Sequence, residues 1–144
     1  ELFTASRGKG AQLDEHKIRV SGNKDLNRSL IGTGIPFRDT DEDLDPYLAM
    51  LGKVAKSTSG IRRPGAAALD LCYVACGRLD AFWETGLAPW DLAAGTLIIR
   101  EAGGIVSALD GAENHMETGH VLAGTPRIYR GLAKLCAKEI KALV

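Results

Sequence analysis

The chain has 144 residues, of which 45% are hydrophobic and 25% charged, the usual balance of a globular domain with a hydrophobic core. Eighteen basic and 18 acidic residues give a formal net charge of zero, which favours neither nucleic acid nor an anionic membrane as the main partner. No apolar run approaches the roughly 18 residues of a membrane-spanning helix. The odd number of cysteines, Cys72, Cys76 and Cys136, favours reduced thiols in a cytoplasmic protein.

The first 22 residues predict an antiparallel element. "ELFTAS" is typical of a strand, "RGKGA" of a Gly-rich turn, and "HKIRVS" of the returning strand of a β-hairpin. A two-stranded ribbon is marginal in water, and the sequence starts at Glu1 in mid-pattern without an initiator Met. We therefore expect the C-terminal portion of a longer protein, in which residues 1–22 close an N-terminal half and residues 23–144 form an α/β domain.

From residue 23 onward, short apolar strands alternate with helices, which predicts an α/β layered domain with a mostly parallel or mixed sheet. Strands are predicted at Leu30–Thr33, "GIRR", "RLDAFWE", "GGIVSAL" and "HVLAGT". Helices are predicted at "DPYLAMLGKVAKS" with Asp45 as the N-cap, at "PGAAALDLCYVACG", from Trp90, and from about Pro126. The helix from Trp90 has apolar side chains all round, which predicts burial between two layers.

Three stretches carry candidate functional residues. In "APWDLAAGTLIIREAGG", Asp91 lies at the head of a helix, either as an ordinary partner of the helix dipole or as one arm of a site. In "RRPGAAALD", Gly65, Ala66 and Ala67 leave a helix start open to phosphate or hydroxyl oxygens, although a tightly packed helix start has the same pattern. In "DAFWETG", Glu84 ends a strand before a glycine turn, where it can accept hydrogen bonds from a polyol.

Two further patterns are less informative. "DTDEDLD" spaces its acids like a calcium-binding EF-hand loop, but Leu44 stands where that loop needs glycine and Met50 where it needs glutamate. His115 and His120 flank "HMETGH", for which a polar loop is expected more than a two-histidine metal site. The sequence contains no Ser-His-Asp constellation, P-loop or dinucleotide fingerprint.

The order and content of these stretches resemble the inositol monophosphatase family, especially its bacterial SuhB-type members. "PWDLAAGTLIIREAGG" matches the family's C-terminal signature of Trp-Asp, small residues and Glu-Ala-Gly-Gly. "RRPGAAALDLCYVACGRLDAFWE" matches the segment just before it, and "FTASRGKGA" with "IRVS" matches the hairpin that leads out of the N-terminal half. The resemblance covers nearly the whole chain and implies the C-terminal part of an αβαβα sandwich with a mixed sheet.

The resemblance implies a Mg²⁺-dependent phosphomonoesterase that acts on inositol monophosphate. It implies that Asp91 is a metal ligand, that Glu84 receives substrate hydroxyls, and that the backbone at Gly65, Ala66 and Ala67 meets the substrate. The family's other metal ligands are an upstream Glu and an Asp-Pro-(Ile/Leu)-Asp-Gly-(Thr/Ser) motif, which have no match here, since "DLDPYLA" lacks the second Asp and the Gly. One carboxylate does not displace the water shell of Mg²⁺, so we expect this chain alone to be inactive and the catalytic groups to lie in the missing half.

Two alternatives stay open. The substrate could be another ester of the same superfamily, such as a sugar bisphosphate, histidinol phosphate or a 3′-phosphonucleotide, because the sequence offers no selectivity feature beyond Glu84. SuhB-type proteins are also associated with RNA and the transcription machinery, so the resemblance also implies an interaction module. The zero net charge argues against strong direct RNA binding and leaves a protein partner open. The resemblance further implies a homodimer that needs the N-terminal half as a partner.

Overall fold

The chain begins with a three-stranded antiparallel sheet. The computed structural model describes residues 1–36 and 44–144, and in it this sheet consists of β1 (Phe3–Ser6), β2 (Gly10–Leu13) and β3 (His16–Ile18), in that order. The predicted antiparallel element is therefore confirmed, but the prediction of two strands is wrong. Residues 10–13 pair with both predicted strands and lie between them. Asp14 and Glu15, both at positive φ, form a two-residue turn between residues 10–13 and 16–18, so that residues 10–13 can pair as a strand of their own.

A second sheet of five strands forms the centre of the fold. It contains β4 (Leu30–Thr33), β5 (Gly60–Arg62), β6 (Ala81–Glu84), β7 (Ile105–Ser107) and β8 (Val121–Gly124), in the order β5-β4-β6-β8-β7. β4 runs parallel to β5 and β6, whereas β8 runs antiparallel to β6 and β7. The mixed sheet and its predicted strands are thus confirmed.

Helices connect these strands. They are α1 (Asp45–Ser57), α2 (Ala67–Ala75), α3 (Pro89–Glu101), α4 (His115–Thr118), α5 (Pro126–Leu135) and α6 (Ala137–Leu143), with a short 3-10 turn at Leu26–Arg28. Two helix predictions need correction. Leu44 is the residue before α1, so Asp45 is its first helical residue rather than its N-cap, and the last helix breaks at Cys136.

The elements stack in layers. α2 and α3 lie between the three-stranded and the five-stranded sheet, while α1, α5 and α6 cover the opposite face of the five-stranded sheet. β6 shows the alternation that this requires, because Phe82 packs against α2 and α3 while Ala81 and Trp83 pack on the other side. The predicted layered α/β fold is confirmed. α3 lies between two layers as predicted, although Ala93 and Ala94 on one side of it face solvent.

Glu101 ties the small sheet to the helix layer. Its carboxylate accepts hydrogen bonds from the backbone N–H groups of Gly8, at 2.7 Å, and Gly10, at 2.8 Å. These two bonds lower the pKa of Glu101 below its ordinary value. The Glu of the "EAGG" motif therefore closes the β1–β2 turn over the end of α3.

Two remaining sequence predictions concern the EF-hand-like acidic pattern and membrane-spanning helices. The acidic pattern compared with an EF-hand loop falls largely on residues 37–43, outside the described residues. No helix in the described part of the chain has the length and apolar character that a bilayer crossing requires.

Candidate functional site

The candidate site lies at the edge of the five-stranded sheet where three parallel strands end. Gly34 follows β4, Arg63 follows β5, and Glu84 is the last residue of β6. α2 and α3 also begin at this edge, because each follows one of these strands after a short connection. The topology therefore brings the three predicted stretches to one edge, the usual location of ligand sites in open α/β sheets.

Glu84 is partly buried and lies directly against the neighbouring strand. A β-carbon built on Gly34 would come within 2.0 Å of the Glu84 Cδ atom. The turn after Glu84 is held to the start of β8, since the backbone N–H of Leu87 donates to the carbonyl of Gly119 at 2.9 Å. The backbone that carries the predicted hydroxyl-binding carboxylate is thus held at the end of a strand between two neighbours.

Asp91 is partly buried in the first turn of α3. Its Oδ2 atom accepts the backbone N–H of Ala88, the residue before the helix, at 3.0 Å. Asp91 therefore does act as a helix-starting residue, which was one of its two predicted roles. This bond uses only one of the two carboxylate oxygens. The other oxygen can still bind a ligand, as the second predicted role, one arm of a site, requires.

The start of α2 is open and sharply turned. Gly65 has a φ of +93°, which a residue with a side chain rarely adopts, and Gly65 and Ala66 are exposed. The N–H groups of Gly65, Ala66 and Ala67 come before the first hydrogen bonds of α2, in which the N–H groups of Leu69 and Asp70 both donate to the Ala66 carbonyl at 2.9 Å. The Arg63 guanidinium lies 3.0 Å from the place a Gly65 β-carbon would take. Backbone donors and a cation therefore meet at this helix start.

Asp70 is a site-edge residue that the sequence reasoning missed. Its side chain is 1% exposed, and neither carboxylate oxygen has a hydrogen-bond partner among the described residues. Burial raises the pKa of Asp70 to about 6, against smaller opposing effects of the Ala66 backbone and the Arg63 guanidinium. The signal was present in "AALDLCYVA", where one acid interrupts an apolar helix.

Tyr47 is a second missed residue. Its hydroxyl donates to the carbonyl of Gly34 at 2.6 Å and lies 2.9 Å from the hydroxyl of Thr33. Burial raises the pKa of Tyr47, and the negative charge of Glu84 adds to that effect. No local sequence pattern marks Tyr47 as a site residue, since its partners Gly34 and Thr33 lie 13 and 14 positions away in the chain.

The two histidines of "HMETGH" are separated. His115 is 2% exposed, and its Nε2 atom lies 3.2 Å from the hydroxyl of Thr96, whereas the Nδ1 atom of His120 lies 3.3 Å from the backbone nitrogen of Gly86. Burial lowers the pKa of His115. The predicted polar loop is wrong in part, because its first histidine is buried in α4.

Two of the three cysteines are buried and unreactive, and the acids form no metal-binding group within the described residues. All three cysteines are free, and burial raises the pKa of Cys72 and of Cys136 to about 11, which leaves both thiols unreactive at neutral pH. Within residues 1–36 and 44–144, no three His, Cys, Asp or Glu side chains are grouped so that they could hold a metal ion.

Comparisons with known proteins support the same family. The sequence model of the inositol monophosphatase family matches residues 1–142. Nus factor SuhB of Pseudomonas aeruginosa is 54% identical over 133 residues, which are 92% of this chain and 49% of that protein. Nus factor SuhB of Escherichia coli is 48% identical over 132 residues, with the same two shares. The chain spans about half the length of the curated relatives it matches.

Solved structures share the fold. Extragenic suppressor protein suhB from Bartonella henselae superposes with a TM-score of 0.89 at 43% identity, over 94% of this chain and 52% of that one. Inositol monophosphatase from Anabaena superposes with a TM-score of 0.85 at 37% identity, over 94% of this chain and 54% of that one.

Proposed function

We propose, because this chain belongs to the inositol monophosphatase family, that the whole protein is a Mg²⁺-dependent phosphomonoesterase with inositol monophosphate as its substrate. The observation that supports this most is the position of Asp91, Glu84 and the open start of α2 at one edge of the sheet. Each offers a different contact: a hard oxygen for a cation, an acceptor for a hydroxyl, and backbone donors for a phosphate oxygen.

The Asp91 carboxylate is a suitable ligand for Mg²⁺, but the described residues supply too few ligands to bind the ion. Mg²⁺ prefers carboxylate oxygens and keeps its water unless several ligands converge, and residues 1–36 and 44–144 hold no group of three such side chains. We propose Asp91 as one ligand and expect the others outside the described residues. When bound, Mg²⁺ would supply positive charge at the phosphoryl group and acidify a water molecule.

The residues of this chain would bind and orient the ester. We propose that the N–H groups at Gly65, Ala66 and Ala67 bind phosphate oxygens, beside the cationic Arg63. Glu84 would accept hydrogen bonds from hydroxyl groups of the polyol, which fixes the rotation of the ester about the phosphate. Positioning of this kind lowers the barrier because it removes rotational freedom before the reaction.

The experiment compares variants of the full-length protein. Asp91→Asn is expected to weaken Mg²⁺ binding in calorimetry and to lower kcat/KM for myo-inositol 1-phosphate by about 100-fold or more, a loss of roughly 3 kcal/mol in transition-state stabilisation. Asp25→Asn is the matched control, because Asp25 is exposed and precedes the opposite end of β4. Full Mg²⁺ affinity in Asp91→Asn would contradict its role as a ligand.

A panel of esters tests the substrate class. We expect hydrolysis of inositol monophosphate to exceed that of a sugar bisphosphate, histidinol phosphate and a 3′-phosphonucleotide, with Mg²⁺ present. If the protein prefers one of the other esters, the proposed phosphatase activity stands and the proposed substrate is wrong. If the wild-type protein hydrolyses none of the four esters, the phosphatase proposal is refuted.

A role in transcription is the second candidate, favoured by the name Nus factor SuhB of two relatives. Trp90, 81% exposed beside Asp91, is the type of side chain that anchors protein interfaces, so we propose a protein partner there. The test is complementation of a Pseudomonas aeruginosa strain that lacks its own SuhB. Rescue by Asp91→Asn but not by Trp90→Ala would support a role independent of phosphatase activity, and the reverse result would contradict it.

Assembly and location also stay proposals. We propose a homodimer, to be tested by light scattering on the full-length protein, in which a monomeric mass would refute it. Three free cysteines, two of them buried, support a reducing compartment, so we propose a cytoplasmic protein.

A further inference from the structure

Gly34 provides the space in which the carboxylate of Glu84 lies. A β-carbon on Gly34 would lie 2.0 Å from Cδ of Glu84, 2.1 Å from Oε1 and 2.2 Å from Oε2. All three distances are far below van der Waals contact, so the carboxylate occupies the volume that any other residue at position 34 would fill. Gly34 is not among the described glycines with positive φ, so its backbone conformation does not require glycine. The requirement is for space.

The backbone at Gly34 is also held in place. Its carbonyl accepts the Tyr47 hydroxyl at 2.6 Å, and Tyr47 is 1% exposed. The hydroxyl of the preceding Thr33 donates to the carbonyl of Trp83 at 2.9 Å, which joins the two strands one residue before Glu84. A side chain at position 34 therefore cannot be accommodated by a shift of β4 without breaking buried hydrogen bonds, and the movable partner is the Glu84 side chain.

From these contacts we propose that Gly34 is a positioning residue that determines specificity, because it sets where the Glu84 carboxylate meets the hydroxyl groups of a substrate. This inference rests on the proposed function of Glu84. Tyr47 is a second positioning residue, since its hydrogen bond to the Gly34 carbonyl holds the backbone against which the carboxylate lies. The identity of residue 34 would then decide between esters that carry neighbouring hydroxyls and esters that carry none.

The test compares two substrates in the full-length protein with Mg²⁺. Gly34→Ala is expected to raise KM for myo-inositol 1-phosphate by roughly 10- to 100-fold, the range for a lost hydrogen bond to a charged group. KM for phenyl phosphate, which has no neighbouring hydroxyl, is expected to stay within about twofold of wild type, since only contacts to the polyol change. Tyr47→Phe, which keeps the ring, is expected to shift the same ratio in the same direction. It serves as the test if Gly34→Ala does not fold.

Two controls separate positioning from general damage. Gly52→Ala places the same methyl group on α1, where no atom lies within 4 Å, and should leave both KM values unchanged. In a Glu84→Ala background, Gly34→Ala should add no further rise in KM, because the carboxylate it displaces is absent. An equal rise with and without Glu84, or an equal rise for both esters, would overturn the proposal.

A crystal structure of the Gly34→Ala protein tests the placement independently of activity. The Glu84 carboxylate is expected to leave its position against β4, and a carboxylate that stays while β4 shifts would overturn the proposal. If the wild-type protein hydrolyses neither ester, the proposed phosphatase function fails, and this structure still decides whether Gly34 positions Glu84.

Discussion

The buried carboxyl of Asp70 makes the stability of the fold depend on pH. In an unfolded chain this group ionises near its ordinary value of 3.8, whereas in the native fold burial raises its pKa to about 6. Between these values the unfolded state holds fewer protons than the native state, so stability falls as pH rises and stays low above 6. The difference corresponds to about 3 kcal/mol.

Asp70→Asn removes this ionisation and keeps the shape of the neutral side chain. At about pH 7.5 the variant should therefore be more stable than wild type by up to roughly 3 kcal/mol, and the gap should close at about pH 3, below both pKa values. Urea unfolding of the full-length protein, followed by circular dichroism across this range, measures the gap, and Asp25→Asn should show none. A variant that is less stable at neutral pH, or a gap that does not change with pH, would refute the reasoning and show that the native fold favours the charged form.

Two further predictions concern the helix layer. Gly95→Ala places a β-carbon 2.5 Å from Cβ of Leu71 and should cost about 1–3 kcal/mol in unfolding free energy, measured in urea. Gly52→Ala, at an exposed position of α1 with open space, should instead stabilise the fold by up to about 1 kcal/mol. An unchanged unfolding midpoint in Gly95→Ala would contradict the close contact of α2 with α3. Burial lowers the pKa of His115, so protonation of its imidazole favours the unfolded state, and the melting temperature of the wild type should fall relative to that of His115→Gln as pH drops below 6.5. Parallel pH curves for the two proteins would show that His115 does not titrate differently on folding.

The elements that the sequence predicted are those with strong local patterns. The apolar strands of the central sheet and the helices that follow them were found because a run of apolar residues and its end signals lie within one short window. β2 was missed because "GAQL" is only four residues long and its glycine continues the Gly-rich turn before it. The break between α5 and α6 at Cys136 carries no glycine or proline that would mark it.

The same division holds for the candidate site. Asp91, Glu84 and the start of α2 could be predicted because each sits at a recognisable strand end or helix start. The role of Gly34 could not be predicted, since it depends on the pairing of β4 with β6, whose partners lie about 50 residues apart in the chain. One acid in an apolar helix was a signal for Asp70, but its burial depends on packing that the local sequence does not show.

The close approach of α2 to α3 has a dynamic consequence. Where Gly95 meets Leu71 there is no space for a methyl group, so the two helices have little freedom to slide or rotate past one another. We therefore expect their first turns, which carry the open N–H groups and Asp91, to keep a constant separation. Binding a ligand across both turns would need little reorganisation free energy, and any adjustment to different ligands must come from side chains such as Glu84 rather than from hinge motion.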